Sequence, residues 1–426
     1  MTENISFLTD FLKNSLTAHH AQDNVKTLLE NNGFISLSET EDWDICQSGK
    51  YFVTRGASLI AFTVGGLDNF SFKIAASHLD SPALKIKENP LIKTANCVCL
   101  NTESYGGGLW YTFFDRPLKI AGQIVVNDNG KIRAETVQSP FLVHIPSQAL
   151  HINRDANDSF AVNVQTDLAP LLCLDGDNVD FVQTLADGKE VLAYDLYAVN
   201  AQQPYAFGAN DEFLASPRID NLTSVYASVD GLLSHAESDG VCVAAFFHHE
   251  EIGSGTSQGA GGDFLENTLR RITYALRFDD IEFDKAMASS FLLSVDNAHA
   301  QHPHHPEKSD PTNKTKLGGG IVIKSHAKGA YITNALTSAV VKKIFDTAGV
   351  THQTFYNRSD MRSGSTLGVA ALQRTGIYGA DIGLAQLAMH SACECFALSD
   401  FEELRNGITA FFSSDILLDN DGFIVK

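Results

Sequence analysis

Apolar residues set the rhythm of the chain. Phe7, Leu8, Phe11 and Leu12, then Val25, Leu28 and Leu29, recur at helical spacing, so residues 5–31 read as helical. Asn31-Asn32-Gly33 stops that run. Short strand-like runs follow at 51–53, 59–64 and 72–76. From about residue 83 to 215 the character changes. β-prone segments at 122–126, around Ile132 and at 141–145 are separated by turn signals such as Asn127-Asp128-Asn129-Gly130. This stretch reads as a mostly β domain inserted into the first. Beyond Asp220, strands at 241–247, 290–295 and 320–323 alternate with helical stretches at 222–233, 335–348 and 384–397. That alternation predicts an α/β core with a mainly parallel sheet. The expected organisation is a discontinuous core, 1–82 with 216–426, interrupted by a β-rich insertion at 83–215.

Composition narrows the function classes. The chain has 426 residues, 44% of them hydrophobic, enough for a large core over more than one domain. Its formal charge of −20 repels phosphate backbones, so no nucleic-acid partner is expected. The seven cysteines are scattered, with no CxxC pair, which fits free thiols in a reducing compartment and a cytoplasmic location. Met1-Thr2-Glu3-Asn4-Ile5-Ser6 does not read as a signal peptide. No apolar run approaches the roughly 20 residues of a membrane helix, so no membrane partner is expected. The glycine triplets 106–108 and 318–320 lack the phosphate-loop pattern and read as turns.

Five positions carry candidate metal chemistry, and four lie at or just past the end of an expected strand, where ligands gather in open α/β sheets. His78 stands in Ser77-His78-Leu79-Asp80-Ser81-Pro82. There one imidazole nitrogen can bind metal while the Asp80 carboxylate accepts a hydrogen bond from the other. Asp220 precedes a helical stretch and alone reads as an N-cap, although its two oxygens can also bridge two ions. Glu250 and Glu251 follow an apolar strand. Adjacent buried carboxylates repel unless a cation or proton relieves them, and the pair suits one ligand and one general base. Asp296 follows the strand at 290–295, and His390 lies in or at the start of a helical stretch, where a lone histidine also fits a core role. Two histidines and three carboxylates suit a pair of borderline ions roughly 3.5–4 Å apart.

The ordered motifs resemble the aspartyl aminopeptidases, a family of dinuclear zinc exopeptidases. The likeness runs through Ser77–Pro82, Gly106–Trp110, Asp115–Leu118, Arg218–Asn221, His249–Ser254, Ser257–Ala260, Asp296–Ala300, Gly320–Lys324 and Gln386–Ser391. It implies two divalent ions per subunit, zinc first, with cobalt or manganese as alternatives. Asp220 would bridge them, His78 and Asp296 would complete one site, and Glu251 and His390 the other. Glu250 would be the general base and Asp80 would orient His78. His151, in Leu150-His151-Ile152-Asn153-Arg154, resembles the residue that reaches a neighbouring subunit's site. The resemblance further implies a tetrahedral dodecamer, with the insertion as its dimerisation domain.

The expected reaction is hydrolysis of the N-terminal residue, acidic by preference, from peptides with a free N-terminus. An acidic side chain needs a local cation, and Lys324 and Arg362 are the positions expected to supply it. In the His-rich run 299–305, His299 and His302 are the expected substrate-site contributors, and a surface loop with incidental metal affinity is the alternative. Rival readings are an amidase or leucine-preferring aminopeptidase, an idle shell-forming relative and a metal-storage module.

Overall fold

Val241–Phe247 is apolar at every position because both of its faces are covered. Cys242, Ala244 and Phe246 face one apolar cluster, and Val241, Val243, Ala245 and Phe247 face another. The same alternation splits Ser58–Val64, with Leu59 and Ala61 on one side and Ile60 and Phe62 on the other. Helices Glu3–Asn14, Ala18–Asn31, Ile219–Ser234, Ala335–Ala348 and Leu398–Ser413 cover the first face. Helices Phe264–Ala275, Asp280–Ser289 and Leu367–Thr375 cover the second. The computed structural model behind this description covers residues 3–177, 179–420 and 422–426, so Met1 and Thr2 of the leader reading fall outside it.

The central sheet has nine strands and is mixed, with a parallel heart. Val241–Phe247, Phe72–His78, Phe291–Val295 and Tyr378–Gly383 lie side by side and run parallel. Their carboxyl ends therefore open on one edge, and this edge holds the candidate ligands. Residues 83–200 form a separate six-stranded antiparallel sheet in the order 131–143, 118–128, 191–200, 83–94, 97–105, 171–174. It has its own core around Leu84, Leu118, Ile120, Ile124 and Leu196. The strands Tyr205–Phe207 and Phe213–Ser216 pair elsewhere. They join Glu394–Ala397, Ala385–Leu387 and Ala298–His299 in a five-stranded sheet beside the ligand edge.

Two sequence expectations change. Residues 384–397 are not helical: they are the strands Ala385–Leu387 and Glu394–Ala397 joined by a turn in which Ala388 and His390 have φ of 56° and 64°. A short apolar run fits either period, and pairing with two neighbouring strands decides this one. The helical run at 5–31 is broken at Ser15–Thr17 into two helices. At the break the half-buried Arg218 donates Nε to Ser15 O (2.9 Å), Nη2 to Leu12 O (3.5 Å) and Nη1 to Asn200 O (2.9 Å). One guanidinium thus takes up carbonyls left free at a helix end.

Gly383 ends its strand against the backbone of Asp296. A Cβ there would lie 1.8 Å from Asp296 O, and neither main chain can yield cheaply. Gly383→Ala is expected to destabilise the protein by about 1–3 kcal/mol and to displace Asp296. Thermal melting together with bound-metal analysis checks both; an unchanged Tm and metal content would rule the clash out.

Candidate metal centre

Asp220 lies just before the regular part of its helix, with φ −79° and ψ 108° at Asp220 itself. Its side chain caps nothing. One oxygen, Oδ1, lies 3.4 Å from His78 Nε2, and the other, Oδ2, lies 3.7 Å from His390 Nε2. The two oxygens of one carboxylate thus face two different histidines. Asp296 Oδ1 completes the first group at 3.8 Å from His78 Nε2, and Glu251 Oε1 the second at 3.5 Å from His390 Nε2. A tetrahedral ion with bonds of about 2.0–2.2 Å sets its ligands about 3.3–3.6 Å apart, and these separations are close to that. Asp220 Oδ1 and Glu251 Oε1 are buried without a hydrogen-bond partner, which is costly unless a cation takes them up. His78, Asp220 and Asp296 meet the spacing of a three-donor metal group, and among the described residues no other trio does.

The electrostatics call for positive charge. Burial raises Glu251 well above the ordinary carboxylate range, and the Asp220 charge raises it further. Burial likewise lifts Glu250 to about 7; His78 opposes the rise while Asp296, Asp80 and Asp220 add to it. Burial disfavours charge on His78, yet Asp220, Asp296 and Asp80 outweigh it and hold its pKa well above normal. Glu250 borders two openings. One, of about 260 Å³, is lined by His78, Asp296, His299, Lys324, Tyr331 and Arg362. The other, of about 460 Å³, is lined by Gly253, Ser254, Thr366, Val369, Gln373 and His390.

Comparison with known proteins decides what such an arrangement belongs to. Residues 11–412 match the family model described as "Aminopeptidase I zinc metalloprotease (M18)". The chain belongs to the M18 family. It is 37% identical over 423 residues to the "Probable M18 family aminopeptidase 2" of Clostridium acetobutylicum, covering 95% of this chain and 98% of the relative. A protein of the same description from Pseudomonas aeruginosa is 36% identical over 425 residues, covering 96% and 98%. Among solved structures, one titled "Cryo-EM structure of the Ape4 and Nbr1 complex" matches with a TM-score of 0.92 at 32% identity, over 96% of this chain and 85% of that one. The "Crystal structure of prApe1" matches with a TM-score of 0.88 at 26% identity, over 96% and 94%. An M18 chain is a metalloaminopeptidase by family, and a hydrolase.

In this M18 chain several residues act differently from the sequence reading. Asp80 was expected to orient His78 through its carboxylate. His78 Nδ1 instead lies 2.9 Å from the Asp80 backbone oxygen and 3.6 Å from its carboxylate. The Asp80 carboxylate accepts N–H bonds from Glu250 and Glu251, both at 3.2 Å, and the Tyr105 hydroxyl at 2.6 Å. It sits over the open start of the single 3₁₀ turn Glu250–Ile252, where those N–H groups have no partners of their own. Lys324 is buried, 2% accessible, and donates to Asn297 O at 3.0 Å. Burial works against its charge, but Asp296 and, through the register Lys324↔Asp381, Asp381 outweigh it. His299 is exposed and lines the same cavity as Lys324. His302 lies in an exposed loop on a neighbouring cavity of about 310 Å³, against His304 and His305 rather than the ligand group. His151 is exposed in a turn of the antiparallel unit and, among the described residues, makes no ion pair with the carboxylates of the ligand group.

Glu394 went unread in the sequence. It is 2% accessible, and its Oε2 accepts the Asp220 N–H (2.9 Å) while Oε1 accepts the His390 N–H (2.7 Å). Burial lifts its pKa to about 8, with Asp220 adding to the rise. One carboxylate therefore spaces two donor-bearing backbones. A Cys-Glu-Cys strand carries no pattern that marks such a role.

Asp80→Asn retains the size of the side chain but replaces one N–H acceptor by a donor. The expected result is a metal affinity lower by about 10–100-fold, the usual effect of losing a ligand's support, and a reduced Tm. Equilibrium dialysis against graded chelator, read beside a melting curve, measures both; wild-type values in each would exclude the support role.

Proposed function

We propose that this chain removes one N-terminal residue, acidic by preference, from peptides, using two divalent ions held by His78, Asp220, Glu251, Asp296 and His390. The single observation that carries this is the Asp220 carboxylate, with its two oxygens aimed at different histidines. Zinc is the first choice from the family description and the mixed imidazole–carboxylate donors, with cobalt and manganese as alternatives. Bound there, such ions supply Lewis acidity toward a peptide carbonyl and a lowered pKa for water.

The residues themselves do the rest. Glu250 is the carboxylate beside the donors that borders both openings, and it stands as the base that takes a proton from water and returns it to the leaving amine. The surplus of carboxylates suits a protonated α-amino group. Lys324 and Arg362 line one cavity with His299 and are the cations that an Asp or Glu side chain would meet. His151 stands exposed between Leu150 and Ile152, both exposed and apolar, as a surface for another subunit would require. One similar structure is titled "Structure of S. cerevesiae mApe1 dodecamer", and a tetrahedral dodecamer joined through residues 83–215 is the assembly we infer for this chain. A cytoplasmic setting accords with the free cysteines, and among the described residues no helix is long and apolar enough to cross a membrane.

Glu250→Gln is expected to keep its full metal content while losing about 10²–10⁴-fold in kcat, the span of general base catalysis. Hydrolysis of Asp-, Glu- and Leu-amides before and after chelation, with metal add-back, tests the wider reading; turnover that survives complete metal removal would sink it. Lys324→Met should cut the preference for Asp- over Leu-amide by about 10–100-fold, the worth of a charge-assisted hydrogen bond. An unchanged ratio of kcat/KM values would clear Lys324 of that task.

A further inference from the structure

The six-stranded unit meets the ligand group at the turn that carries His390 and, beside it, at Gly106, where an added Cβ would lie 3.0 Å from the Glu251 side chain. Gly107 O accepts His390 Nδ1 at 2.8 Å, and Leu109 N donates to His390 O at 2.8 Å. Ala392 N donates to Thr112 Oγ1 at 2.8 Å, and Asn200 Nδ2 donates to Ala392 O at 2.6 Å. Ala392 is 3% accessible and packs inside the antiparallel unit's own core with Phe113, Leu118 and Leu196. The turn is thus gripped by hydrogen bonds from two separate segments of that unit, 107–112 and Asn200, and by its apolar interior.

The other donors take their hydrogen bonds from the catalytic part, although Tyr105 of the antiparallel unit donates to the Asp80 carboxylate behind Glu251. His78 is set by Asp80 O, Asp296 N donates to Ile382 O, Glu251 N donates to Asp80, and Asp220 N donates to Glu394. His390 also differs in exposure and strain. Its side chain is 33% accessible against 2% for His78, and its φ of 64° is a conformation disfavoured for a residue with a Cβ. The Gly107 carbonyl has a second effect. By accepting the Nδ1 proton it leaves the Nε2 lone pair free toward Asp220 and Glu251, so the donor tautomer is set before any ion arrives.

We propose that the antiparallel unit is a positioning element for one ion of the pair. The grip of Gly107, Leu109, Thr112 and Asn200 on the His390 turn sets retention of the ion at Asp220, Glu251 and His390. The ion at His78, Asp220 and Asp296 is held by the catalytic part alone. The inference rests on the two-ion reading above. It makes the two ions unequal: one stays under mild chelation, and the other leaves when the clamp slackens.

The test counts zinc per chain, by plasma mass spectrometry, as chelator concentration is raised. Wild-type protein should release one equivalent before the second. Thr112→Val removes the acceptor for Ala392 N. It should lose the first equivalent at about 10–100-fold less chelator, keep the second as wild type does, and regain activity when excess zinc is added. Thr112→Ser should behave as wild type. Asn200→Asp, which turns the donor to Ala392 O into a repelling oxygen, gives the same reading independently should Thr112→Val fold poorly. Equal weakening of both equivalents, or no change in either variant, overturns the clamp while leaving two ions standing. A wild-type chain that never holds more than one equivalent overturns the two-ion reading and the clamp with it.

Discussion

Everything at the ligand edge answers to one constraint: too many carboxylates share too little water. Asp220, Glu250, Glu251, Asp296 and Glu394 crowd into a buried space, where burial and the neighbouring Asp220 charge raise the cost of charge on Glu250, Glu251 and Glu394. Charges at such separations in a dry site repel far more strongly than in water. The fold resolves this by surrounding them with His78, His390 and the buried Lys324, and by leaving carboxylate oxygens without protein partners where a cation fits. Structural stability alone offers no reason to bury these groups, so the cluster marks the site as functional.

The sheet explains why these groups meet. His78, Glu250, Glu251 and Asp296 are far apart in sequence, yet they follow three strands that are neighbours and run the same way. That much was legible beforehand, because an apolar strand followed at once by polar chemistry is a local pattern. Turn signals and β-prone runs close together in the chain likewise exposed the mostly β character of residues 83–215, although the strands at 205–207 and 213–216 pair outside the six-stranded sheet. The helical stretches expected at 222–233 and 335–348 were equally legible and lie in Ile219–Ser234 and Ala335–Ala348, although Asp220 caps nothing.

What escaped reading depends on contacts between distant segments. His390 was placed in a helix because 384–397 is short and apolar, and only partners such as Ala298 and Phe213 make it two strands. Asp80 was paired with His78 because they are two residues apart. The true demand on its carboxylate comes from N–H groups 170 residues later. Glu394 accepts the backbone N–H groups of two candidate ligands, Asp220 and His390, and backbone partners leave no trace in residue type. Lys324 was expected as a local cation, and its burial inside the sheet with Asp381 across from it follows only from the pairing of distant strands.

Arg218 has a meaning for how the protein is handled. Its guanidinium joins the end of the first helix, the last strand of the antiparallel sheet and the backbone two residues before Asp220. Peeling away the helix Glu3–Asn14, by a nick or a bulky fusion, would take away the Leu12 carbonyl and loosen the Ser15 carbonyl that follows it. The cation would then seek other partners among the nearest acids, and Glu394 is close enough to feel its charge. The opening residues are thus no inert handle, and damage there would register as a fault in a site that begins more than 60 residues downstream.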